Sequence, residues 1–232
     1  SNFLLTYTYG DNSVKLINLK RNVKWVHKKI HDIVVFAKFS PDNNYLFICG
    51  RSGEYRIYYK DIDASWNLKY SGDIRRSDID LEYFFFFSAF QFSPDSKYIV
   101  FSGLDGYAKL IDLDTVIMAR AFWGGKKEIV SFDFSSDSKY FVSASEDCKV
   151  VVREAKTLRG IHVLKGHQSA LIYAKFSPDN KKIITASRDG NIRLWDAFTG
   201  KEILNCYLLK GNSLVIIDSS GTTVYSGTVA GP

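Results

Sequence analysis

Cysteine is scarce in this 232-residue chain, with Cys49, Cys148 and Cys206 odd in number and far apart. That excludes a small disulfide scaffold and reads as reduced thiols in a cytoplasmic or nuclear protein. Long apolar runs are missing too. The longest conspicuous one, Phe84–Phe87, is four aromatics, far short of the ~18–20 residues that span a membrane. Ser1–Gly10 carries neither the basic region nor the small-residue cleavage site of a secretory signal. No stretch of helix length shows a 3.6-residue apolar period. Histidine is limited to His27, His31, His162 and His167, none beside a cysteine pair at zinc spacing, so no metal site is expected. Thr199-Gly200-Lys201 lacks the earlier glycine of a phosphate-binding loop and reads as a turn.

What is present suffices for a packed core: 46% of residues are hydrophobic, 15% aromatic and 24% charged. Such a composition also excludes a disordered or collagen-like chain. The formal charge of +6 permits contact with nucleic acid, but the basic pairs Lys28-Lys29, Arg75-Arg76, Lys126-Lys127 and Lys181-Lys182 are dispersed. Dispersed pairs read as a solvated surface first and as an RNA track second.

An internal repeat sets the architecture. AKFSPDNNYLF (37–47), FQFSPDSKYIV (90–100), FDFSSDSKYFV (132–142) and AKFSPDNKKII (174–184) share one phrase, with Phe39, Phe92, Phe134 and Phe176 spaced by 53, 42 and 42 residues. VIIDSSGTTVY (215–225) is a weaker copy. A turn follows each phenylalanine at a constant offset: RSG (51–53), LDG (104–106), EDC (146–148) and RDG (188–190). Asp and Gly suit such turns, since Gly takes positive φ cheaply and Asp accepts backbone N–H bonds. In the last full unit, Leu171, Tyr173 and Lys175 read as an alternating strand. Further strands are expected at 182–186, 192–195 and 201–208. Four short strands per repeat, separated by Asp, Gly, Pro and Ser, describe an all-β protein built of propeller blades. The 11 extra residues of the 53-residue spacing fall near Asp61–Glu82, a polar stretch that reads as a solvated or partner-binding loop.

The unit GHQSALIYAKFSPDNKKIITASRDGNIRLWD (166–196) resembles a WD repeat, with its Gly-His opening, S-P-D turn, S-x-D-G turn and closing Trp-Asp. The other units are degenerate: Ile17, Tyr58, Ile111 and Arg153 stand where this unit has Trp195. The resemblance implies four-stranded antiparallel blades in a WD-repeat β-propeller. At this period the chain holds part of a six- or seven-bladed ring. Its expected units are a partial blade at 1–30, blades at 31–82, 83–123, 124–165 and 166–208, and a partial blade at 209–232.

The resemblance also gives His167, Ser187, Asp189 and Trp195 a structural role, as a buried hydrogen-bonded tetrad. A Ser187–His167–Asp189 catalytic triad is the competing reading, but no G-x-S-x-G elbow surrounds Ser187. Partner binding is implied at the top face, by residues at the start of each innermost strand and before each turn Asp. Carried over, these are Ile33, Val35 and Arg51; Phe86, Ser88 and Leu104; Glu128, Val130 and Glu146; and Ala170, Ile172 and Arg188. Apolar and arginine anchors mixed with carboxylates suit a protein or peptide partner. The expectation is therefore a non-catalytic scaffold in an intracellular complex, with no cofactor, no membrane and no small-molecule substrate. An RNA-associated subunit in ribosome biogenesis or RNA processing is the alternative.

Overall fold

The computed structural model describes residues 3–7, 13–18, 23–28, 33–51, 53–62, 65–73, 87–104, 106–115, 120–124, 126–209 and 213–228. Among them every regular element is a strand, and each strand pairs antiparallel with its neighbour in sequence. The first sheet has three strands, β1 (Phe3–Tyr7), β2 (Ser13–Asn18) and β3 (Val23–Lys28). Three four-stranded sheets follow. One holds β4 (Val34–Phe39), β5 (Tyr45–Gly50), β6 (Glu54–Lys60) and β7 (Trp66–Asp73). The next holds β8 (Phe87–Phe92), β9 (Tyr98–Gly103), β10 (Tyr107–Asp112) and β11 (Arg120–Trp123). The third holds β12 (Ile129–Phe134), β13 (Tyr140–Ser145), β14 (Val150–Glu154) and β15 (Gly160–Leu164). The last sheet has six strands: β16 (Leu171–Phe176), β17 (Lys182–Ser187), β18 (Asn191–Asp196), β19 (Glu202–Leu209), β20 (Ser213–Asp218) and β21 (Thr223–Thr228).

Local chemistry explains why the repeated phrase folds as it does. In Ser40–Tyr45 the serine hydroxyl donates to the Asp42 carboxylate (2.5 Å) and accepts the Tyr45 N–H (2.9 Å), while Asn43 takes a φ of 61°. Asn tolerates that left-handed conformation because its short polar side chain can bond locally. The same hairpin recurs at Ser93–Tyr98, Ser135–Tyr140 and Ser177–Lys182, with Ser96, Ser138 and Asn180 at φ 61°, 60° and 59°. These residues also tie the sheets together. The Asp42 N–H donates to Ser96 Oγ and the Asp95 N–H to Ser138 Oγ, both at 3.1 Å. Between the last two sheets, Asn180 exchanges two bonds with Ser136 instead, at 2.7 and 2.8 Å.

The core lies between successive sheets rather than within one. Phe47, Tyr55 and Ile57 pack on Phe92, Phe101 and Leu113. Val100, Ala108 and Leu110 pack on Phe132, Phe134 and Phe141. Val142, Val150 and Val152 pack on Phe176, Ile183 and Trp195. Phe47, Val100 and Val142 are repeat-equivalent, as are Tyr55, Ala108 and Val150, and Ile57, Leu110 and Val152. Opposite them so are Phe92, Phe134 and Phe176, so one sequence pattern builds the frame of the same interface three times. Burying one such aromatic stabilises by about 2–3 kcal/mol.

Two expectations are corrected. Residues 213–228 do not form a separate partial blade: β20 pairs with β19, from Leu204↔Asp218 to Leu209↔Ser213. Only residues 210–212 separate the two strands, a length that favours a hairpin over passage to a new sheet. Nor do Leu171, Tyr173 and Lys175 share a buried face. A register shift between Leu171 and Tyr173 breaks the alternation, so Leu171, Ala174 and Phe176 are buried while Ile172 and Tyr173 are exposed.

Candidate functional site

That register shift is not confined to one strand. It falls between Val34 and Phe36 in β4, Phe87 and Ala89 in β8, Ile129 and Ser131 in β12, and Leu171 and Tyr173 in β16. Each is a β-bulge, in which one residue is left out of the ladder and its side chain is re-aimed. The bulged residues are Val35, Ser88, Val130 and Ile172, all four among the positions expected to meet a partner. The structure places three of them, Val35, Ser88 and Val130, around a common cavity of about 380 Å³ between the first strands of the sheets.

Aromatic groups unanticipated from the sequence share that cavity: Phe36, Phe90, Phe132 and Tyr173. The rings of Phe36 and Phe90 lie 4.1 Å apart, and Lys38 Nζ sits 5.3 Å from the Phe90 centroid. Their signal in the sequence was hidden, because each stands one or two positions beyond a bulge and strict alternation assigns it elsewhere. Ser88 also ties two sheets, donating to the Ile129 carbonyl at 2.9 Å.

The turn-preceding residues are held by their own backbones. Arg51, Glu146 and Arg188 donate their N–H groups to the carbonyls of Ile33, Glu128 and Ala170, at 2.8, 2.9 and 2.9 Å. Neighbouring sheets thereby bring Glu128, Glu146 and Arg188 together. Arg188 Nη2 lies 3.5 Å from Glu146 Oε1, with the arginine side chain 66% exposed. Partial burial and then the nearby Glu146 raise the carboxyl of Glu128 above its usual range, against the pull of Arg188. Leu104 is half-buried at the equivalent turn. Phe86 lies outside the described residues.

The expected tetrad is a hydrogen-bonded chain with one member exchanged. The Trp195 indole N–H donates to Thr185 Oγ1 at 2.8 Å, and Thr185 Oγ1 lies 2.8 Å from His167 Nε2. His167 Nδ1 is 3.2 Å from Asp189 Oδ2. Ser187 stands aside, donating to the Ser169 carbonyl at 2.9 Å. The reason is the period of two along β17: Thr185 pairs with Arg193 and Ile183 with Trp195, which sets the threonine hydroxyl beneath the indole. Ser187, one pleat further, lies at the strand end beside the turn.

Only one proton arrangement satisfies the chain. Because Thr185 accepts from the indole, its own hydroxyl hydrogen goes to His167 Nε2, and Nδ1–H donates to Asp189. His167 is then neutral, in keeping with burial pushing its pKa below the ordinary value. Burial opposes ionisation of Asp189, yet N–H donors from Gln168 and Asn191 together with His167 hold its carboxyl below the usual range. With Ser187 bonded to a carbonyl and His167 committed to Thr185, no activated nucleophile is assembled here.

In the preceding sheet Arg153 takes the place of Trp195. Its guanidinium lies 5.0 Å from the Phe122 ring and donates to the Trp123 carbonyl at 2.7 Å. Among the described residues, no three His, Cys, Asp or Glu side chains converge as metal ligands. No helix among the described residues is long and apolar enough to cross a membrane.

Comparison with known proteins agrees with this geometry. Residues 120–153 and 159–196 match a family model described as WD domain, G-beta repeat. The two matches fall on the β11–β14 and β15–β18 stretches, and the second contains the hydrogen-bonded chain. No curated protein matches the chain.

Proposed function

The chain is a WD-repeat protein, and from that premise we propose that it is a non-catalytic scaffold that holds protein or peptide partners in an intracellular complex. WD repeats generally mediate such protein–protein interactions. The observation that carries the reading is the row of bulges. Val35, Ser88, Val130 and Ile172 are freed from strand pairing at one level of four successive sheets. Beside them stand the apolar cavity and the Glu128–Glu146–Arg188 group. An apolar centre with a charged rim is the anatomy of a protein-recognition surface.

Two carboxylates against one guanidinium give that group an acidic bias, which favours a peptide over a phosphate backbone. The cytoplasm or the nucleus is the compartment that suits its three free thiols.

Affinity capture from the source cell with wild-type protein and an Ile172→Glu/Arg188→Glu variant tests the assignment. Both changes lie on exposed side chains and should leave the melting temperature within about 2 °C, as surface substitutions do. Specific partners are expected to be lost. Equal recovery of the same partners by the folded variant refutes the surface. Retention of labelled RNA at low salt, lost in the variant, would replace the protein partner with RNA.

A further inference from the structure

The interface between the sheets β12–β15 and β16–β19 differs from the one before it at two repeat-equivalent positions. Leu158, at φ 62°, packs onto the cluster of Phe134 and Phe141 between the second and third four-stranded units. Its counterpart 42 residues on is Gly200, at φ 69°, with no side chain to pack. Ser138, which bridges the earlier turns with one hydroxyl, is replaced by the longer Asn180. Both exchanges lie at the serine-turn end of the joint, where the His162 ring takes the space beside Gly200 and Asn180 bridges to Ser136.

At this end lies a cavity of about 350 Å³ with an apolar floor of Tyr140, Val152, Ile161, Phe176 and Ala197. Phe198 stands on its rim. The main chain of Phe198 is clamped on both sides, its N–H donating to Asp196 Oδ1 at 3.1 Å and its carbonyl accepting from His162 Nε2 at 2.6 Å. The residue is nevertheless 67% exposed. A large aromatic held in place by its backbone and left in water is a preformed contact surface.

Asp137 and Asp179 complete the rim. Each uses Oδ1 internally, for the hydroxyl and the N–H of its own turn. Among the described residues the second oxygen of Asp137 meets only the exposed Lys139, at 3.5 Å. The second oxygen of Asp179 has no hydrogen-bond partner among the described residues. The Ser177 hydroxyl and Lys181 N–H keep the Asp179 carboxyl below the usual range; at Asp137 the Ser135 and Lys139 bonds do so against the opposing effect of burial. Both rim carboxylates therefore carry charge at neutral pH.

We propose that this cavity is a second recognition site, distinct from the bulge-lined surface, for an extended peptide bearing an aromatic side chain followed by arginine. The aromatic side chain fills the apolar floor. The guanidinium lies over Phe198 and pairs with the spare oxygens of Asp179 and Asp137, combining ring stacking with bidentate pairing.

Titration of isotope-labelled protein with acetyl-Phe-Arg-amide, followed by amide NMR shifts, tests this directly. Acetyl-Phe-Glu-amide and acetyl-Ala-Arg-amide serve as controls. Expected are saturable shifts at Val152, Asn180, Ala197 and Phe198 at millimolar peptide, at least several-fold tighter for Phe-Arg than for either control. Ala197→Leu, which fills the floor, should abolish them, and Asp179→Asn should erase the preference for Phe-Arg over Phe-Glu. Absence of shifts at these residues, shifts surviving Ala197→Leu, or equal binding of the three peptides overturns the proposal. If Ala197→Leu does not fold, the Asp179→Asn comparison decides alone, and an unchanged preference overturns it.

Discussion

Replacing Thr185 with valine isolates the hydrogen-bonded chain, because valine keeps the volume and loses only the hydroxyl. Thr185 is fully buried at 0% exposure, between the Trp195 indole and His167, each 2.8 Å away. The substitution leaves a buried indole N–H and a buried imidazole nitrogen without partners. Each such group costs about 1–3 kcal/mol, and the extra buried methyl returns roughly 1 kcal/mol. The net loss should be about 1–5 kcal/mol, near 3 at the middle of that range. For a chain of this size that lowers the melting temperature by roughly 5–15 °C. Ser187→Ala is the matched control, since it removes a bond to the Ser169 carbonyl and a longer one from the Asp189 N–H and should cost only about 1–2 kcal/mol. Calorimetry and urea unfolding of both variants give the comparison. A loss below about 1 kcal/mol for Thr185→Val, or a larger loss for Ser187→Ala, would show that the chain is not what holds this sheet together.

Further outcomes follow from the same groups. Asp189→Ala removes the acceptor of His167 Nδ1–H and of the Gln168 and Asn191 N–H groups, so its melting temperature should fall at least as far as that of Thr185→Val. An unchanged melting curve would contradict the tetrad. His167 has a folded-state pKa below its unfolded value of about 6.5, so the unfolded chain gains protons first as pH falls. Its contribution is complete above about pH 6.5 and is lost progressively below it, and His167→Gln should flatten that slope in a pH series of melts. Asp189 shifts downward as well, so its contribution should persist to about pH 4 and vanish only in more acid solution.

How legible this was in the sequence depends on whether a feature repeats. The Phe39–Phe92–Phe134–Phe176 spacing and the turns beyond it located the strands of the last full unit to within a residue or two, because turn chemistry is local and was sampled four times. Asp61–Glu82, outside the repeat and read as a loop, instead contains β7. The bulges were not visible. A bulge is a register difference between two strands, and neither strand alone records it; reading β16 by strict alternation therefore put Tyr173 on the wrong face. The choice of Thr185 over Ser187 failed for a related reason. Both hydroxyls stand two residues apart on one face of β17, and only pairing with β18 decides which lies under Trp195. The attachment of β20 to β19 depends on competition between sheet edges, which no repeat pattern encodes.

The bulges carry a consequence for how such a chain can change over time. The neighbours of each bulge are committed: Val34, Ile129 and Leu171 are buried at 1% exposure or less and belong to the ladder. The bulged residue leaves the ladder, and Ile172 is exposed as well, whereas Ser88 bonds the Ile129 carbonyl and Val130 packs on the neighbouring core. Substitution at Ile172 can alter what the surface attracts without disturbing the framework, while substitution at Leu171 cannot. A saturation-mutagenesis scan should therefore show Ile172 as a permissive position beside an intolerant Leu171, with Ser88 and Val130 more restricted.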